Sequence, residues 1–576
     1  MPETDPITLE IIDSRLDEVV GEMQEILYHT GYSTIIRESK DASAAITSAS
    51  GEVIGQAIRL PLHAGVFTPS VDAITRYFPL SEIHEEDAFL MNDPYIGGSN
   101  HSPDFIVATP VFCEGELLAF CLSIAHKPDI GGLVPGSCGA DAREIYHEGI
   151  QLPPVRYCSR GEINKDLENI LVNNSRIPHW LLGDLRAQWG STRIGCRKLQ
   201  ELVAEYGVEN FKAATAAIIG STERRVRQVL ASWKDGVSEA EGFLDDDGAG
   251  GSDPVRLHVR VTKTGERIEF DFTGCGPQTT GPINVQPHLV RGICSVALVG
   301  MMDSSLPFNS GLVRLCEFKL KPGTVVQPIR PAPCNHYSGT LCSLLNVILR
   351  AVSAFCPERA VADCAGMIAI TVGGEQKGGK REPPHYEIIA GAFGANGEAD
   401  GASGIVWYGS NVEITPIEII ESEFPSRIER FCLYRDSAGA GEHRGGVGFI
   451  REYTVLKDTR LTYRGSCHRF SAQGVFGGKS GVLSECIVNP GTPEERKMPT
   501  IGTMRLKAGD RFRILRPGGG GVGDPLKRDP HRVLGDVLDG VVSVEKARED
   551  YGVVIDLKSN RIDEDATRRL RATGEG

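Results

Sequence analysis

The sequence predicts a multi-domain α+β protein in which helices and antiparallel hairpins occupy successive regions. The chain has 576 residues, which is too long for a single hydrophobic core. Its first part combines amphipathic helical periodicity with β-type runs joined by turns, and its second part is dense in glycine and β-type runs. We therefore predict an α+β region with hairpins and a helical segment over 1–235, an α+β region over 236–365, a mostly antiparallel β region over 366–525 and a short helical C-terminal tail over 526–576.

The N-terminal region contains two predicted hairpins between helical segments. Apolar residues at helical spacing predict a long amphipathic helix over 8–30, and helical patterns return over 163–235. Short β-type runs flank a turn at 49–51. A second pair, FIVATPVF and LLAFCLSIA, flanks a Gly-containing turn at Glu114 and Gly115. The ends of this second hairpin are thereby brought together.

The same patterns predict the elements of the regions after residue 235. Alternating residues around Thr264 and Gly265 predict a third hairpin. The apolar run SLLNVILRAVSAF predicts a helix near the end of the second region. The last fifty residues predict two short helices and a strand.

Composition narrows the class of protein. An apolar content of 41% and a charged content of 24% are ordinary for a globular protein. The net charge of −15 argues against a nucleic-acid partner and against an anionic membrane surface. No run of eighteen apolar residues occurs, and the acidic N-terminus does not resemble a signal peptide. The fifteen cysteines are scattered without a C-x-x-C pair, which predicts free thiols in a reducing cytoplasm.

Two H-x-x-D pairs, His101/Asp104 and His126/Asp129, lie at the entry and the exit of the Glu114–Gly115 hairpin. Pairing of the strands places both motifs at one end of one element. Two imidazoles and two carboxylates suit a divalent metal such as Zn, Mn or Fe. The alternative is that these are turn residues with local hydrogen bonds. The position of both pairs at the same hairpin end favours the metal site.

Other side chains are candidates for a site nearby. Glu38 and Asp41 form an acidic pair before the first hairpin; by themselves they favour an exposed ion-pair turn, and a role at the site is the alternative. His63 lies in a loop, and His147 lies in a Gly/Pro-rich segment over 133–160 that we interpret as a long functional loop. Cys138 lies in the same loop, where the sequence favours a small structural residue and a nucleophile is the alternative.

The glycine-rich segments do not predict a nucleotide site. PGGGGVGDP, residues 517–525, lacks the Lys-Ser/Thr of a P-loop and does not begin a βαβ unit. We interpret it and GEHRGGVGF, residues 441–449, as structural turns. No G-x-S-x-G is present, which argues against a hydrolase elbow. The chain therefore offers a metal site but no recognisable place for ATP.

Taken together, these motifs resemble the hydantoinase B/oxoprolinase family nearly end to end. That family comprises the B-type subunits of ATP-dependent hydantoinases and N-methylhydantoinases, with relatives in caprolactamase, in acetone and acetophenone carboxylases and in 5-oxoprolinase. The segments that carry the resemblance are DPITLEII, RESKDASAAI, NDPYIGGSNHSPD, AHKPDIGG, REIYHEGIQLPPV, GDLRAQ, FDFTG with PQTTGPIN, TPIEIIESEFPSRIERFCLYRDSAGAGEHRGGVGFIREY, RPGGGGVGDP and KRDPHRVLGDVLDGVVSVEKAREDYGVV.

The resemblance implies a ligand set and a partner. His101, Asp104 and His126 would bind the divalent metal, and Glu38 or Asp41 would complete the site. Asp129 would then lie just outside the ligands. The partner implied is an A-type subunit with an actin-like ATPase fold, which binds ATP and phosphorylates the substrate within a heterotetramer or larger hetero-oligomer.

The resemblance also implies a reaction: hydrolysis of a cyclic amide, such as a hydantoin or lactam, after phosphorylation by the partner. His63, His147 and Asp129 are the candidate catalytic side chains beside the metal. A subunit of an ATP-dependent ketone carboxylase is the alternative reaction. A non-catalytic scaffold for the ATPase is the alternative of another class.

Overall fold

The fold is multi-domain α+β, as predicted. A computed structural model describes residues 5–573 except 58, 252, 374–375, 378–379 and 382. Its N-terminal part is built on a seven-stranded antiparallel sheet of order β2-β1-β5-β4-β3-β6-β7. The elements of this part are α1 (Pro6–Thr30), α2 (Thr34–Arg37), β1 (Ala42–Ser48), β2 (Val53–Gln56), α3 (Phe67–Tyr77), β3 (Ala88–Met91), β4 (Asp104–Cys113), β5 (Glu116–His126), β6 (Val155–Ser159), β7 (Glu162–Ile163), α4 (Lys165–Asn174), α5 (Pro178–Tyr206) and α6 (Val208–Ser232).

The hairpin β4–β5 forms the centre of this sheet. Glu114 and Gly115 both adopt positive φ, 52° and 79°, as a two-residue turn between right-twisted strands requires. Asp104 lies directly opposite His126 in the antiparallel register. The predicted hairpin is confirmed, and so is the expectation that its entry and exit meet at one end.

Helices cover one face of the sheet. Helix α1 buries Ile12, Leu16, Val19 and Met23 at helical spacing, and it packs with α5 against the strands. Helices α4–α6 confirm the predicted helical segment. No helix in the described ranges is both long and apolar enough to cross a membrane.

A second, four-stranded sheet of order β11-β10-β9-β8 follows, and the hairpin predicted at Thr264–Gly265 joins β9 and β10. Helices α7 and α8 pack with this sheet, and α8 contains most of the predicted apolar helix. The elements are β8 (Gly236–Leu244), β9 (Val255–Thr264), β10 (Arg267–Asp271), α7 (Pro287–Met302), β11 (Cys316–Lys319) and α8 (Tyr337–Val352).

The next part is mostly antiparallel β, as predicted for residues 366–525. Its main sheets have the orders β15-β12-β20-β23 and β18-β19-β24-β21-β22, and they share an apolar core. The elements are β12 (Ile368–Val372), β13 (Gln376–Lys377), β14 (Lys380–Arg381), β15 (His385–Ile389), β16 (Gly391–Ala392), β17 (Ser403–Ile405), α9 (Ile417–Glu423), β18 (Ser426–Leu433), β19 (Phe449–Val455), β20 (Thr459–Arg464), β21 (Glu485–Val488), β22 (Arg496–Lys497), β23 (Ile501–Leu506) and β24 (Arg511–Leu515).

The C-terminal tail is held by a buried arginine. Arg528 donates to Asp400 at 2.7 and 2.8 Å and to Asp536 at 2.8 and 3.2 Å, which ties the tail to the β-rich part. The two predicted helices are present, and a small hairpin and a third helix follow them. The elements are α10 (Pro530–Leu538), α11 (Val544–Tyr551), β25 (Ile555–Asp556), β26 (Arg561–Ile562) and α12 (Glu564–Thr573).

The segment Gly518–Gly521 explains the glycine motif of residues 517–525. A Cβ atom added to any of these four glycines would come within 3.0 Å of backbone from another segment. The backbone atoms met belong to Ala438, Phe393, Gln473 and Ala440, respectively. Several chain segments therefore converge backbone to backbone, and only glycine allows this approach. The motif therefore allows close packing of the backbone, in agreement with its interpretation as a structural turn.

Replacement of Gly520 tests this packing role. We expect Gly520→Ala to lower the free energy of unfolding by about 2–3 kcal/mol, because the new methyl group collides with the Gln473 carbonyl. Gly535→Ala is the matched control, since Gly535 lies in α10 with no atom within 4 Å of the added Cβ and alanine favours a helix. Differential scanning calorimetry of the two variants would contradict this interpretation if Gly520→Ala melted like the wild type.

Candidate metal centre

The hairpin end brings three of the predicted ligands together. Asp104 begins β4, His126 ends β5, and His101 lies in the turn that enters β4. All three side chains are buried, with exposed fractions of 2–3%. Among the described residues, they form the group of His, Cys, Asp and Glu side chains whose ligand atoms converge, within 4.8 Å of one another. Local turn hydrogen bonding alone does not explain this convergence.

The geometry of the three atoms suits a divalent cation. Asp104 Oδ1 lies 3.1 Å from both His101 Nε2 and His126 Nδ1, and the two nitrogens are 3.2 Å apart. Ligand atoms around a tetrahedral zinc ion, each about 2.1 Å from the metal, lie roughly 3.4 Å apart. The triangle of two nitrogens and one oxygen is therefore close to the spacing that a bound cation would require.

Asn335 fixes the tautomer of His101. The Asn335 amide donates from Nδ2 to the Ser137 carbonyl at 2.7 Å, so its Oδ1 atom faces His101. His101 Nδ1 lies 3.0 Å from that oxygen and must donate to it, because an amide oxygen only accepts. In the neutral imidazole, the Nε2 atom of His101 therefore carries the lone pair and faces Asp104 and His126. Metal-binding histidines are held in this way by an acceptor on the second ring nitrogen.

Asn100 orients the carboxylate. Its Nδ2 atom donates to Asp104 Oδ2 at 3.1 Å and to the Tyr337 hydroxyl at 3.1 Å. Asp104 Oδ1 is therefore the oxygen that faces the histidines. The ring of Tyr337 lies 5.0 Å from that of His101. Asn100 and Tyr337 thus restrict the rotation of the carboxylate and of the His101 ring.

The three groups perturb one another's protonation. Burial lowers the pKa of His126, but hydrogen bonding to Asp104 and the neighbouring Cys138 thiol outweigh it and raise the pKa to about 10. The pKa of His101 is raised as well, since the Asp104 charge outweighs burial. Burial opposes ionisation of Asp104, yet the two imidazoles lower its pKa. Without a cation, the pocket therefore retains a proton on the imidazole pair at neutral pH.

Asp41 lies next to this cluster, whereas Glu38 faces an arginine. Burial raises the pKa of Asp41 to about 6, and the charges of His126, Asp104 and His101 all act on it. Its carbonyl accepts from the His126 amide at 3.2 Å. Glu38 instead accepts from Arg37 at 3.1 Å. The two acidic candidates are thus in different surroundings.

His63 is close to the cluster, although it is not among the converging atoms. It is 1% exposed, and its Nδ1 atom lies 2.8 Å from the Ser43 hydroxyl on β1. Burial lowers its pKa to about 4, and the charges of Asp104, His101 and His126 act on it. His63 is therefore a neutral imidazole at pH 7.

Asp129 and His147 occupy structural positions in the loop. The Asp129 carboxylate accepts from the amides of Gly131 and Gly136 and from the backbone and side chain of Arg176, at 2.9–3.1 Å. His147 Nδ1 accepts from the Arg143 amide at 3.1 Å. Both side chains hold the segment that follows β5 in its path. The structure does not bring either of them into the cluster.

Sequence reasoning missed the side chains that surround the ligands. Glu148, adjacent to His147, is fully buried and accepts from the amides of Cys334 and Asn335 at 2.6 and 2.8 Å. Burial raises its pKa to about 8, although the His101 charge lowers it. Glu148 thus positions Asn335, which in turn positions His101. The segment PCNHYSG that contains Asn335 is more than two hundred residues from His101, and no local pattern connects the two.

The Cys138 thiol lies beside His126 and interacts with it. Burial raises the pKa of its thiol, but Arg464 and His126 outweigh this and lower the pKa to about 7. The ring of Tyr386 stacks on His126 at a centroid distance of 4.8 Å. Cys138, Tyr386 and Arg464 therefore form one wall of the centre, and two of them come from the β-rich part of the chain.

Known proteins resemble this chain over its whole length. The sequence profile described as Hydantoinase B/oxoprolinase matches residues 5–525. The chain is 31% identical to a protein of Pseudomonas sp. (strain NS671) named as the putative B-type component of a D-/L-hydantoinase, covering 99% of this chain and 98% of the relative. It is 32% identical to the caprolactamase beta chain of Pseudomonas jessenii, covering 99% and 100%.

Solved structures agree. A crystal structure of ATP-dependent caprolactamase from Pseudomonas jessenii has a TM-score of 0.91 at 30% identity and covers 99% of each chain. A nucleotide-free acetone carboxylase has a TM-score of 0.92 at 21% identity, covering 99% of this chain and 83% of that one, and shares the fold. The chain belongs to the hydantoinase B/oxoprolinase family.

Proposed function

We propose that this chain is the metal-dependent catalytic subunit of an ATP-dependent cyclic-amide hydrolase and acts on a hydantoin or lactam phosphorylated by an A-type partner. The observation that carries the proposal is the convergence of His101, Asp104 and His126 in a buried pocket. The names of the hydantoinase and caprolactamase relatives, which are cyclic-amide enzymes, support the substrate class.

The chemistry requires activation of a poor electrophile. An amide carbonyl becomes reactive when its oxygen is phosphorylated, because water can then add to the carbon and the phosphorylated oxygen can leave as phosphate. A divalent cation such as Zn, Mn or Fe, when bound, polarises an oxygen of the substrate and lowers the pKa of water. His101, Asp104 and His126 hold and orient the reacting groups in this scheme, and burial of the pocket excludes bulk water.

Two further side chains receive roles. We assign Asp41 as the acidic residue that completes the site, because its carboxyl interacts electrostatically with all three ligands and Glu38 is engaged with Arg37. We assign proton transfer to His63, because its imidazole is neutral at pH 7 and lies beside the cluster. Its bond to Ser43 orients the ring. His147 and Asp129 have structural partners elsewhere.

A partner supplies ATP in this proposal. The sequence contains no P-loop, and the names of the related chains mark each of them as one component, of B or beta type, of a larger enzyme. We assign the partner as an A-type subunit with an actin-like ATPase fold, in a cytoplasmic hetero-oligomer. Free thiols at all fifteen cysteines are compatible with a reducing compartment.

A ketone carboxylase subunit is the second candidate. The observation in its favour is the TM-score of 0.92 to acetone carboxylase, although that likeness at 21% identity concerns the fold alone. The identity of 32% to the caprolactamase beta chain favours hydrolysis. Assay of the chain with its ATPase partner separates the two, since only the carboxylase requires carbon dioxide or bicarbonate and a ketone.

Metal content tests the central element of the proposal. We expect about one equivalent of Zn, Mn or Fe in the purified chain and its loss in His101→Ala and in His126→Ala, because each substitution removes a ligand atom from the triangle. His29→Ala is the control, since the His29 side chain is 82% exposed on α1. Elemental analysis measures the outcome. A wild-type chain without metal, with ATP-dependent activity that survives His101→Ala, would support the scaffold alternative.

Metal affinity should increase with pH. In the metal-free pocket the pKa of His126 is about 10, so a cation must displace a proton at any lower pH. For each proton displaced, affinity rises roughly tenfold per pH unit. Competition with a chelating indicator at pH 6, 7 and 8 would show this slope. An affinity that stays constant over this range would contradict proton displacement from the imidazole pair.

The choice between the two acidic residues has its own test. We expect Asp41→Asn to weaken metal binding by about 10–100-fold, the effect typical of residues that support a metal site. Glu38→Gln should change it less than twofold, because Glu38 pairs with Arg37. The same indicator titration measures both variants. The reverse order of effects would assign the role to Glu38.

A further inference from the structure

Four arginines in the described ranges are at most 1% exposed: Arg451, Arg464, Arg516 and Arg528. Arg451 pairs with Glu387 at 2.8 Å, and Arg528 pairs with Asp400 and Asp536. Arg516 donates to the carbonyls of Ala390 and Gly366. Each of these three guanidinium groups therefore has an anionic partner or good carbonyl acceptors within the chain.

Arg464 differs from the other three. Its hydrogen bond to a described residue runs from Nη1 to the Asn335 carbonyl at 3.5 Å, the limit of such a bond. Its Nε and Nη2 atoms are buried without an acceptor in the described chain. None of the ion pairs found among described residues includes Arg464. Its main electrostatic neighbours are Cys138, whose thiol has a pKa of about 7, and Tyr386. A buried guanidinium beside a thiol that is only partly ionised lacks a full counterion, which points to an absent anion.

The position of Arg464 connects this charge to the metal centre. Arg464 ends β20, and its guanidinium lies over the Tyr386 ring at 5.1 Å. Tyr386 in turn stacks on His126. Asn335, which accepts the bond from Arg464, also accepts from His101. Arg464 thus shares one neighbour with each of the two histidine ligands.

Other buried polar atoms around the candidate metal centre also have no partner. His126 Nε2, Asn100 Oδ1 and His336 Nδ1 are buried and form no hydrogen bond with the described residues. Burial and the Arg464 charge together lower the pKa of His336 to about 3, so this ring is neutral beside the guanidinium. A group of unpartnered polar atoms around one cation and one metal site is typical of a pocket for a polar ligand.

We propose that Arg464 binds the phosphoryl group of the activated amide through its Nε–Nη2 edge. This assignment rests on the proposed function, which brings a phosphorylated substrate to the ligands His101, Asp104 and His126. The two free N–H groups of one edge match two oxygens of a phosphoryl group in a bidentate arrangement. Because Arg464 is 1% exposed, an anion reaches it only when a covering segment moves. Arg464 is then a specificity residue that selects the phosphorylated over the free amide.

Binding of inorganic phosphate to the full-length, metal-free chain tests the proposal. We expect calorimetry to detect phosphate binding to the wild type, a loss of at least tenfold in Arg464→Met and an intermediate loss in Arg464→Lys, which keeps the charge but not the planar fork. Arg505→Met is the charge-matched control, since Arg505 lies exposed on the neighbouring strand β23. Thermal melting of each variant identifies a folding defect. If Arg464→Met is unstable, the comparison of Arg464→Lys with the wild type still tests the proposal.

The outcomes separate this assignment from the proposed function. The assay uses the metal-free chain, so it reports on Arg464 whether or not His101, Asp104 and His126 bind a metal. Phosphate binding that is unchanged in Arg464→Met would overturn the assignment. Binding of acetate without binding of phosphate would overturn it as well, since it would mark a carboxylate site. Loss of phosphate binding in Arg464→Met with retention in Arg505→Met would support it.

Discussion

The register of the β4–β5 hairpin is the constraint on which the candidate metal centre depends. Pairing of Asp104 with His126 places a carboxylate and an imidazole side by side at the sheet end. Because side chains alternate between the faces of a strand, a slip of one residue would turn His126 away from Asp104. The two-residue turn at Glu114 and Gly115 and the bulge between Val111 and Phe112 together set that register from the other end of the hairpin.

Burial gives this arrangement its chemical character. Inside the protein, Asp104 is stabilised as an anion by two imidazoles that burial alone would keep neutral. In the proposed centre, a proton and a divalent cation would therefore compete for the same three atoms. The surrounding hydrogen bonds, which His101 donates to Asn335 and Asn100 donates to Asp104, decide which atoms face the candidate cation site. In the proposed centre, His101, Asp104 and His126 would supply the affinity for the metal, and their neighbours would orient them.

The sequence predicts what is encoded locally. Helix α1, the hairpins and the two H-x-x-D pairs follow from periodicity and turn residues over a few tens of positions. Asn335, Tyr386 and Arg464 could not be found this way, because strands and loops distant in the chain bring them to the hairpin end. Asp129 shows the converse limit: it repeats the motif of Asp104, yet its oxygens hold Arg176 and the loop. Spacing identifies candidate residues, but packing decides their partners.

The centre is consequently a property of the whole chain. The converging ligands come from the first sheet, Asn335 precedes α8, and Tyr386 and Arg464 come from β15 and β20. The glycine segment Gly518–Gly521 holds the β-rich part together by backbone contacts that leave no room for side chains. An N-terminal fragment would contain His101, Asp104 and His126 but would lack Asn335, the acceptor that fixes the His101 tautomer. The pocket is formed only when the first sheet, the segment before α8 and the β-rich part are assembled. The family match over residues 5–525 includes all three.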